Sequence, residues 1–408
     1  MKRFIIIAFL LFIYITQLNA QSYDIRGSLR EWVQVFSKNP NEMDLLETRL
    51  KLELLSTYGE NTAFFVKSYY VYESTKRMGT WDFQEAYIDY YTDLVDIRFG
   101  QQVMAWGKAD ELNPTDILNP QNLTNLSEEK GIRKIGLISL KGEWKFDDFI
   151  LETIWKPEFD HMILPPLDSR WAFFAIPGLE TLPPPDFPSN RLQDTEWAFK
   201  LSNTISMFDF SISYFDGWDN IATPILSFNP QLQQLQLDKL KFYRTKMIGA
   251  DFAGSIASVG IWGEAAYFIT ENHGSDPLVK NPYLQYVVGS DYTFSYDIVI
   301  NIQYLQEINE TEADEEIASK LGIGIPLQQA ASFRVTKKFG DAEQHLIELF
   351  GIYDIKNEGI YIKPSITISP ESAVGLEVGY QVYVGKEKSI FGRFEDNNLI
   401  YLKGVFSF

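Results

Sequence analysis

Apolar and polar residues alternate with a period of two along most of this chain. In the segment 46–54, Leu46, Leu50, Leu52 and Leu54 fall on one face with Thr48; Glu47, Arg49, Lys51 and Glu53 fall on the other. Four charges pointing into the dry core of a soluble sandwich would be very costly. The same strand is stable with one face in hydrocarbon and the other in a wet lumen. The pattern recurs. Val374, Leu376, Val378, Tyr380 and Val382 alternate with Gly375, Glu377, Gly379 and Gln381, and Phe208, Phe210 and Ile212 with Asp209, Ser211 and Ser213. Ile298, Ile300 and Ile302 bracket Asn301. The final segment sets Ile400, Leu402, Phe406 and Phe408 against Tyr401, Lys403, Val405 and Ser407. Segments of about ten residues with this period predict an all-β fold, a transmembrane antiparallel up-and-down β-barrel.

Short turns are expected at 57–60, 91–93, 145–148, 203–206, 254–257, 294–297, 340–343 and 369–372. Longer connections fall near 38–42, 74–81, 105–133, 158–193, 219–238, 273–282, 308–329, 354–358 and 385–396. Short and long links alternate, as they do between the periplasmic turns and outer loops of such barrels. The count predicts about 18 strands, with both ends on the short-turn side. Pro364 objects: it lies mid-way in the strand 360–368, where a closed barrel has no free edge for a residue without an N–H. A bulge at Pro364 would keep 18 strands; a miscount would make 16. Eight of the 18 prolines lie at 157–188, so the segment 158–193 reads as a Pro-rich outer loop. Aromatics at the short-turn end (Tyr58, Tyr90, Tyr91, Trp144, Tyr292, Phe294 and Tyr296) fit an interfacial belt.

The first residues read differently. Met1-Lys2-Arg3 is basic, 4–15 is nearly all apolar, and Leu18-Asn19-Ala20 ends on a small residue. This predicts a signal peptide at 1–20, cleaved after Ala20; the apolar run is shorter than the roughly 18–20 residues of a spanning helix. Residues 21–408 then form a single barrel domain, exported to the cell outer membrane.

Composition narrows the chemistry. The chain has no cysteine, which excludes disulfides, thiolate catalysis and Cys-ligated metals. A net charge of −19 argues against nucleic acid as a partner. His161, His273 and His345 lack neighbours at metal-ligand spacing, so neither a metal site nor a cofactor is expected. His161 with Asp160 and Asp168 is the one cluster that could resemble catalytic machinery, and it reads as a solvated loop; no enzyme is expected. The acidic run at 307–316 has no EF-hand pattern and reads as solvated charge. The apolar stretch 171–179 (WAFFAIPGL) needs a cover: the lumen, neighbouring loops or a partner subunit.

The stretch 97–133 organises the rest. It begins as an alternating strand and breaks at Trp106-Gly107 into a polar segment with two Asn-Pro steps, Asn113-Pro114 and Asn119-Pro120. Such steps favour compact turns. Asp110, Glu111, Asp116, Glu128 and Glu129 supply carboxylates; Leu112, Ile117, Leu118, Leu123 and Leu126 supply apolar residues that could pin the segment to a wall. By count it is the third outer connection, after the fifth strand. The neighbouring strands carry inward-facing charges at Glu47, Arg49, Lys51, Glu53, Asp96 and Arg98, with Arg26 and Arg30 nearby. An acidic loop opposite a basic wall would set a transverse field across the narrowest point.

Three resemblances extend this reading. The chain ends on Phe408, which resembles the final strand of bacterial outer-membrane barrels, whose terminal Phe is read by the barrel-assembly machinery. The position of the loop at 105–133 resembles general porins, whose third loop folds inward and sets the constriction. The run Gly100-Gln101-Gln102, Trp106-Gly107, Asp110, Asn113-Pro114, Asp116 and Asn119-Pro120 resembles a family of largely uncharacterised, porin-like barrels of Gram-negative bacteria. These likenesses imply an outer-membrane channel and are silent on what passes through it; diffusion of small polar or organic solutes is the expected function. The channel's constriction would be set by Trp106, Asp110, Glu111, Asn113, Asp116, Asn119, Glu128 and Glu129. The expected partners are outer-membrane lipid, lipopolysaccharide and the assembly machinery, with the oligomer either monomer or trimer. The alternatives are a fatty-acid-type transporter of hydrophobic compounds or a non-transport barrel (adhesin or scaffold). Alternation that begins near Ile25 leaves little chain for the N-terminal hatch of the former.

Overall fold

The computed structural model describes residues 22–173, 183–189, 191–229, 234–271, 279, 281–309, 327–386 and 389–408, excluding the side chains of 226–229 and 234–236. The expected leader at 1–20, His273, residues 174–179 of the apolar stretch and residues 310–316 of the acidic run lie outside them.

Eighteen strands close into one antiparallel barrel. In chain order they are β1 (Ser22–Phe36), β2 (Met43–Tyr58), β3 (Thr62–Glu73), β4 (Met78–Tyr90), β5 (Val95–Gln102), β6 (Leu137–Lys145) and β7 (Ile150–Lys156). Then come β9 (Glu196–Ile205), β10 (Phe208–Trp218), β13 (Arg244–Ile256), β14 (Val259–Thr270), β15 (Tyr283–Phe294), β16 (Ile298–Asn309) and β17 (Gln329–Phe339). The last four are β18 (His345–Asp354), β19 (Gly359–Glu371), β20 (Val374–Gly385) and β21 (Leu399–Ser407). Each barrel strand pairs with the next in sequence, and β1 pairs with β21 to close the ring. Closure matters because hydrocarbon offers no hydrogen bonds: a spanning sheet must have no free edge. Phe408 completes the seam, exchanging both backbone hydrogen bonds with Gly27 at 2.8 and 3.0 Å.

The two faces separate as the alternation requires. Phe210, Ile212, Leu376, Val378, Ile400 and Leu402 are exposed on the outside, whereas Ser211, Ser213, Gln381 and Tyr401 are buried within. Tyr58, Tyr90, Tyr91, Trp144, Tyr292, Phe294 and Tyr296 are all exposed at the short-turn end. The short turns lie where expected, with ends displaced by one to three residues at several of them.

Two features depart from the pattern. Pro364 is accommodated without a bulge. The β19–β20 register runs from Ile362–Val382 to Ser365–Gly379 without a shift, and only the two intervening ladder pairs are missing. The missing N–H therefore costs a local gap in the wall, and the strand count stays at 18. The outer connections also carry structure of their own. Strands β11 (Thr223–Asn229) and β12 (Gln234–Lys241) form a hairpin, and β8 (Pro185–Asp186), inside the Pro-rich loop, pairs in parallel with β12. Two short helices, α1 (Lys130–Arg133) and α2 (Ile390–Arg393), lie in the β5–β6 and β20–β21 connections.

Candidate functional site: a loop inside the barrel

The connection between β5 and β6 does not project outward. Its residues bond to inward-facing side chains on β1, β2, β7, β14, β16, β17 and β20, strands that lie around the ring.

The motif residues fold this segment on itself. Asn119 accepts from Met104 N–H at 2.8 Å and donates to the carbonyls of Ile135 and Gln102 at 2.7 and 3.2 Å. It thereby ties the start of the loop to its end. Asp116 accepts from Lys134 at 2.7 Å and Lys130 at 3.1 Å. Burial holds the Lys134 ammonium below its ordinary range despite the Asp116 charge. Asn113 donates to Ala109 O at 2.6 Å and accepts from Lys130 at 2.5 Å. Gly100 has φ +136°, and a Cβ there would lie 2.3 Å from Ala86 O, so only glycine lets β5 approach β4 at this point.

Three anchors hold the folded loop to the wall. The first is apolar. Met104, Trp106, Ile117 and Leu118 pack on Ile154, Ala198, Phe215, Met247, Ala266 and Phe268, inward-facing residues of β7, β9, β10, β13 and β14. The Trp106 indole N–H donates to Glu152 at 2.5 Å. Leu112 joins a second cluster around Val287, Leu305 and Ala330, and Leu126 a third around Trp32, Phe36 and Trp171.

The second anchor is Glu264 on β14, which is buried. Its carboxylate accepts from the Lys108 and Ala109 N–H groups at 2.5 Å each. It also accepts from the Thr115 hydroxyl at 2.9 Å, Asn113 Nδ2 at 3.0 Å and Thr115 N–H at 3.4 Å. A buried carboxylate is tolerable when its lone pairs are filled in this way. Gly107 has φ +87°, and a Cβ there would stand 2.5 Å from Glu264 Oε1. The Trp-Gly step therefore has a physical reading: the indole docks while the glycine admits the carboxylate.

The third anchor is ionic. Arg30 on β1 and Arg49 on β2 are direct cross-strand neighbours, which alone would repel. Glu47 and Glu128 bridge them. Arg30 contacts Glu47 at 2.6 Å and Glu128 at 2.5 Å; Arg49 contacts Glu128 at 2.8 Å and Glu47 at 3.0 Å. Burial works to raise the Glu128 carboxyl, but the Arg30 hydrogen bond and the charges of Arg30 and Arg49 outweigh it and hold the group below its ordinary range.

The remaining loop carboxylates divide. Asp110 meets Arg334 of β17 at 2.7 Å, and Arg334 also binds Glu348 at 2.8 Å. Glu129 lies 3.8 Å from Lys403. Glu111 faces Arg133 of the loop itself at 3.6 Å. An acidic loop opposite a basic wall therefore holds only in part, because Asp116 and Glu111 are neutralised within the loop. Arg98 is not part of such a wall. It binds Asp89 at 2.6 Å and lies over the Tyr87 ring at 3.8 Å. Lys51 pairs with Glu53 at 3.4 Å, and Asp96 with Lys145 at 2.8 Å; none of these contacts involves the loop. Glu264, Arg334, Glu152 and Gln303, which carry much of the docking, were not singled out by sequence. Glu264 had one signal: it is a lone carboxylate between Trp262 and Ala266 on an otherwise apolar inward face.

With the loop docked this way, a cavity of about 570 Å³ lies between it and the wall of β17–β21. Its lining holds five carboxylates (Glu111, Glu128, Glu129, Glu348, Glu377) and five cations (Lys130, Arg133, Arg334, Lys363, Lys403). It also holds the aromatic rings of Phe173, Phe350, Tyr361, Tyr383, Phe391 and Phe394. Part of the long Pro-rich loop packs on these aromatics, Trp171 on Tyr383 and Phe394 and Phe173 on Phe394. Trp171 donates to Asp44 at 3.0 Å, Asn397 donates to Arg170 O at 2.7 Å, and Arg393 binds Phe173 O. His161 packs on Phe187 and Phe242.

No protein-family model matches the chain, and no curated protein matches it by sequence. Its likeness to solved structures is one of fold. OccAB3 of Acinetobacter baumannii superposes with a TM-score of 0.55 at 11% identity, over 95% of this chain and 99% of that one. OccK11 (OpdR) of Pseudomonas aeruginosa gives 0.53 at 9% identity, over 94% and 95%. The chain, a closed 18-strand barrel, thus shares its fold with these two structures.

Proposed function

We propose that this protein is a porin-like channel of the outer membrane, passing small polar or organic solutes through a pore narrowed by the segment 105–133. One observation carries the reading: the loop is bonded to the inner wall on several sides, yet leaves a charged and aromatic cavity against β17–β21. A loop that served only to plug the barrel would have no need of ten ionisable groups around an open space. Lumen-lining charges and a constriction are what a diffusion channel uses to discriminate solutes. The constriction residues on this reading are Trp106, Asp110, Glu111, Asn113, Asp116, Asn119, Glu128 and Glu129. Trp106, Asn113, Asp116 and Asn119 build the loop; Asp110, Glu111, Glu128 and Glu129 set its charge. Export would use residues 1–20 as a cleaved leader, and Phe408 would be the mark read during barrel assembly.

The test is planar-bilayer recording of refolded protein. Stepwise, ohmic conductance supports the reading, and absence of conductance at every salt and voltage overturns it. N-terminal sequencing of protein from outer membranes should begin at Gln21.

A further inference from the structure

The cavity against β17–β21 holds two ionic groups that the protein itself leaves loosely engaged. Lys363 of β19 is the one lining cation that makes no ion pair among the described residues; its ammonium lies 5.5 Å from the Tyr401 ring. The other four cations meet carboxylates: Lys130 at Asp116, Arg133 at Glu111, Arg334 at Asp110 and Lys403 at Glu377. Glu129 is the matching anion. Its side chain is 69% exposed, and its cation contact is Lys403 at 3.8 Å, an ammonium that Glu377 already holds at 2.6 Å.

Lys363 sits on the barrel wall and Glu129 on the loop, and both line the cavity. Five carboxylates balance five cations around it. The lining as a whole therefore offers no net attraction to a simple anion or a simple cation. A solute that presents both signs engages both loose groups and leaves neither facing an unpaired charge. The aromatic rings in the same lining (Tyr361, Tyr383, Phe391) suit an apolar substituent.

We propose that this cavity is a binding subsite for zwitterionic solutes with an apolar or aromatic side chain, the class of free amino acids and short peptides. Lys363 takes the carboxylate, Glu129 the ammonium, and the Tyr361–Phe391 side the side chain. This rests on the channel reading, and the experiment separates the two.

The full mature chain in planar bilayers is titrated with phenylalanine, with N-acetylphenylalanine (anion only) and with phenylalanine methyl ester (cation only), reading current block. Phenylalanine should block at about tenfold lower concentration than either analogue, the worth of one charge-assisted contact. Lys363→Gln should weaken block by phenylalanine and the N-acetyl compound while sparing the ester. Glu129→Gln should weaken phenylalanine and the ester while sparing the N-acetyl compound. Equal block by all three probes, or block unmoved by either substitution, overturns the subsite and leaves the channel standing. A chain that never conducts overturns both.

Discussion

Replacing Glu264 by alanine removes the acceptor on which the loop's tight turn is built. Three of its five contacts are short and well directed: the N–H groups of Lys108 and Ala109 at 2.5 Å and the Thr115 hydroxyl at 2.9 Å. At about 1.5 kcal/mol net for each bond to a charged acceptor, these are worth about 4–5 kcal/mol. Water in the lumen can refill some of the freed donors, which returns about half. Loop docking should therefore weaken by about 2–3 kcal/mol, a shift of about 30- to 150-fold between docked and released states. Glu264→Gln should follow in the same direction by less, because the neutral amide loses the charge assistance and must turn its NH2 toward Thr115, whose hydroxyl can accept it but whose N–H then lacks an acceptor. The assay is single-channel recording with limited proteolysis of 105–133. The variants should show larger, noisier openings and new cleavage within the loop. Wild-type conductance, wild-type noise and an intact loop in both variants would refute the anchoring role.

Other outcomes follow from the same contacts. Glu128 sits below its ordinary value of 4.5 in the folded protein. Its share of loop docking is therefore fully present above pH 4.5 and is lost as pH falls through that lowered value. A conductance change on acidification below 4.5, absent in Glu128→Gln, is expected; removing one of the two carboxylates shared by buried Arg30 and half-buried Arg49, with Glu47 remaining, should cost up to about 3 kcal/mol. Trp106→Ala should cost about 3 kcal/mol of loop docking by emptying an apolar site, read as protease sensitivity with the barrel's heat-modifiable migration on gels intact. Arg98→Ala should shift reversal potential toward cations by less than Arg334→Ala, because the Asp89 that it frees makes no contact with the loop, whereas the Asp110 freed by Arg334→Ala belongs to it. Pro364→Val should supply the ladder's missing N–H and raise barrel stability by up to about 1 kcal/mol, seen as a higher unfolding temperature at unchanged conductance.

Much of the barrel was legible because one physical constraint, lipid outside and water inside, repeats in every strand. Eighteen strands, both faces of β2, β10, β20 and β21, and the alternation of short and long links follow from period and turn chemistry alone. Legibility fell where the lumen is not wet. On β13 and β14, Met247, Ala266 and Phe268 face inward although apolar, since Trp106 and Leu118 cover them. Alternation there blurs, and only the fold reveals which loop does the covering. The loop's own sequence showed a compact, charged segment, and its Asn-Pro steps and Trp-Gly step proved to be its folding instructions. Its wall partners were illegible for a simple reason. Arg334 and Glu264 lie more than 100 residues away, and period two fixes the face of a charge without saying what stands opposite. Arg98 shows the same limit from the other side: its inward face was readable, but the Asp89 that claims it was not.

Whether the segment 105–133 sets the width of a conducting pore is open to direct measurement. Replacing residues 108–131 by a short Gly-Ser linker, and comparing single-channel conductance with the intact chain in the same bilayer, tests that directly. A loop that narrows the pore, as proposed, predicts a several-fold rise in conductance and loss of discrimination between solutes of different charge. Equal conductance in the two proteins would contradict it.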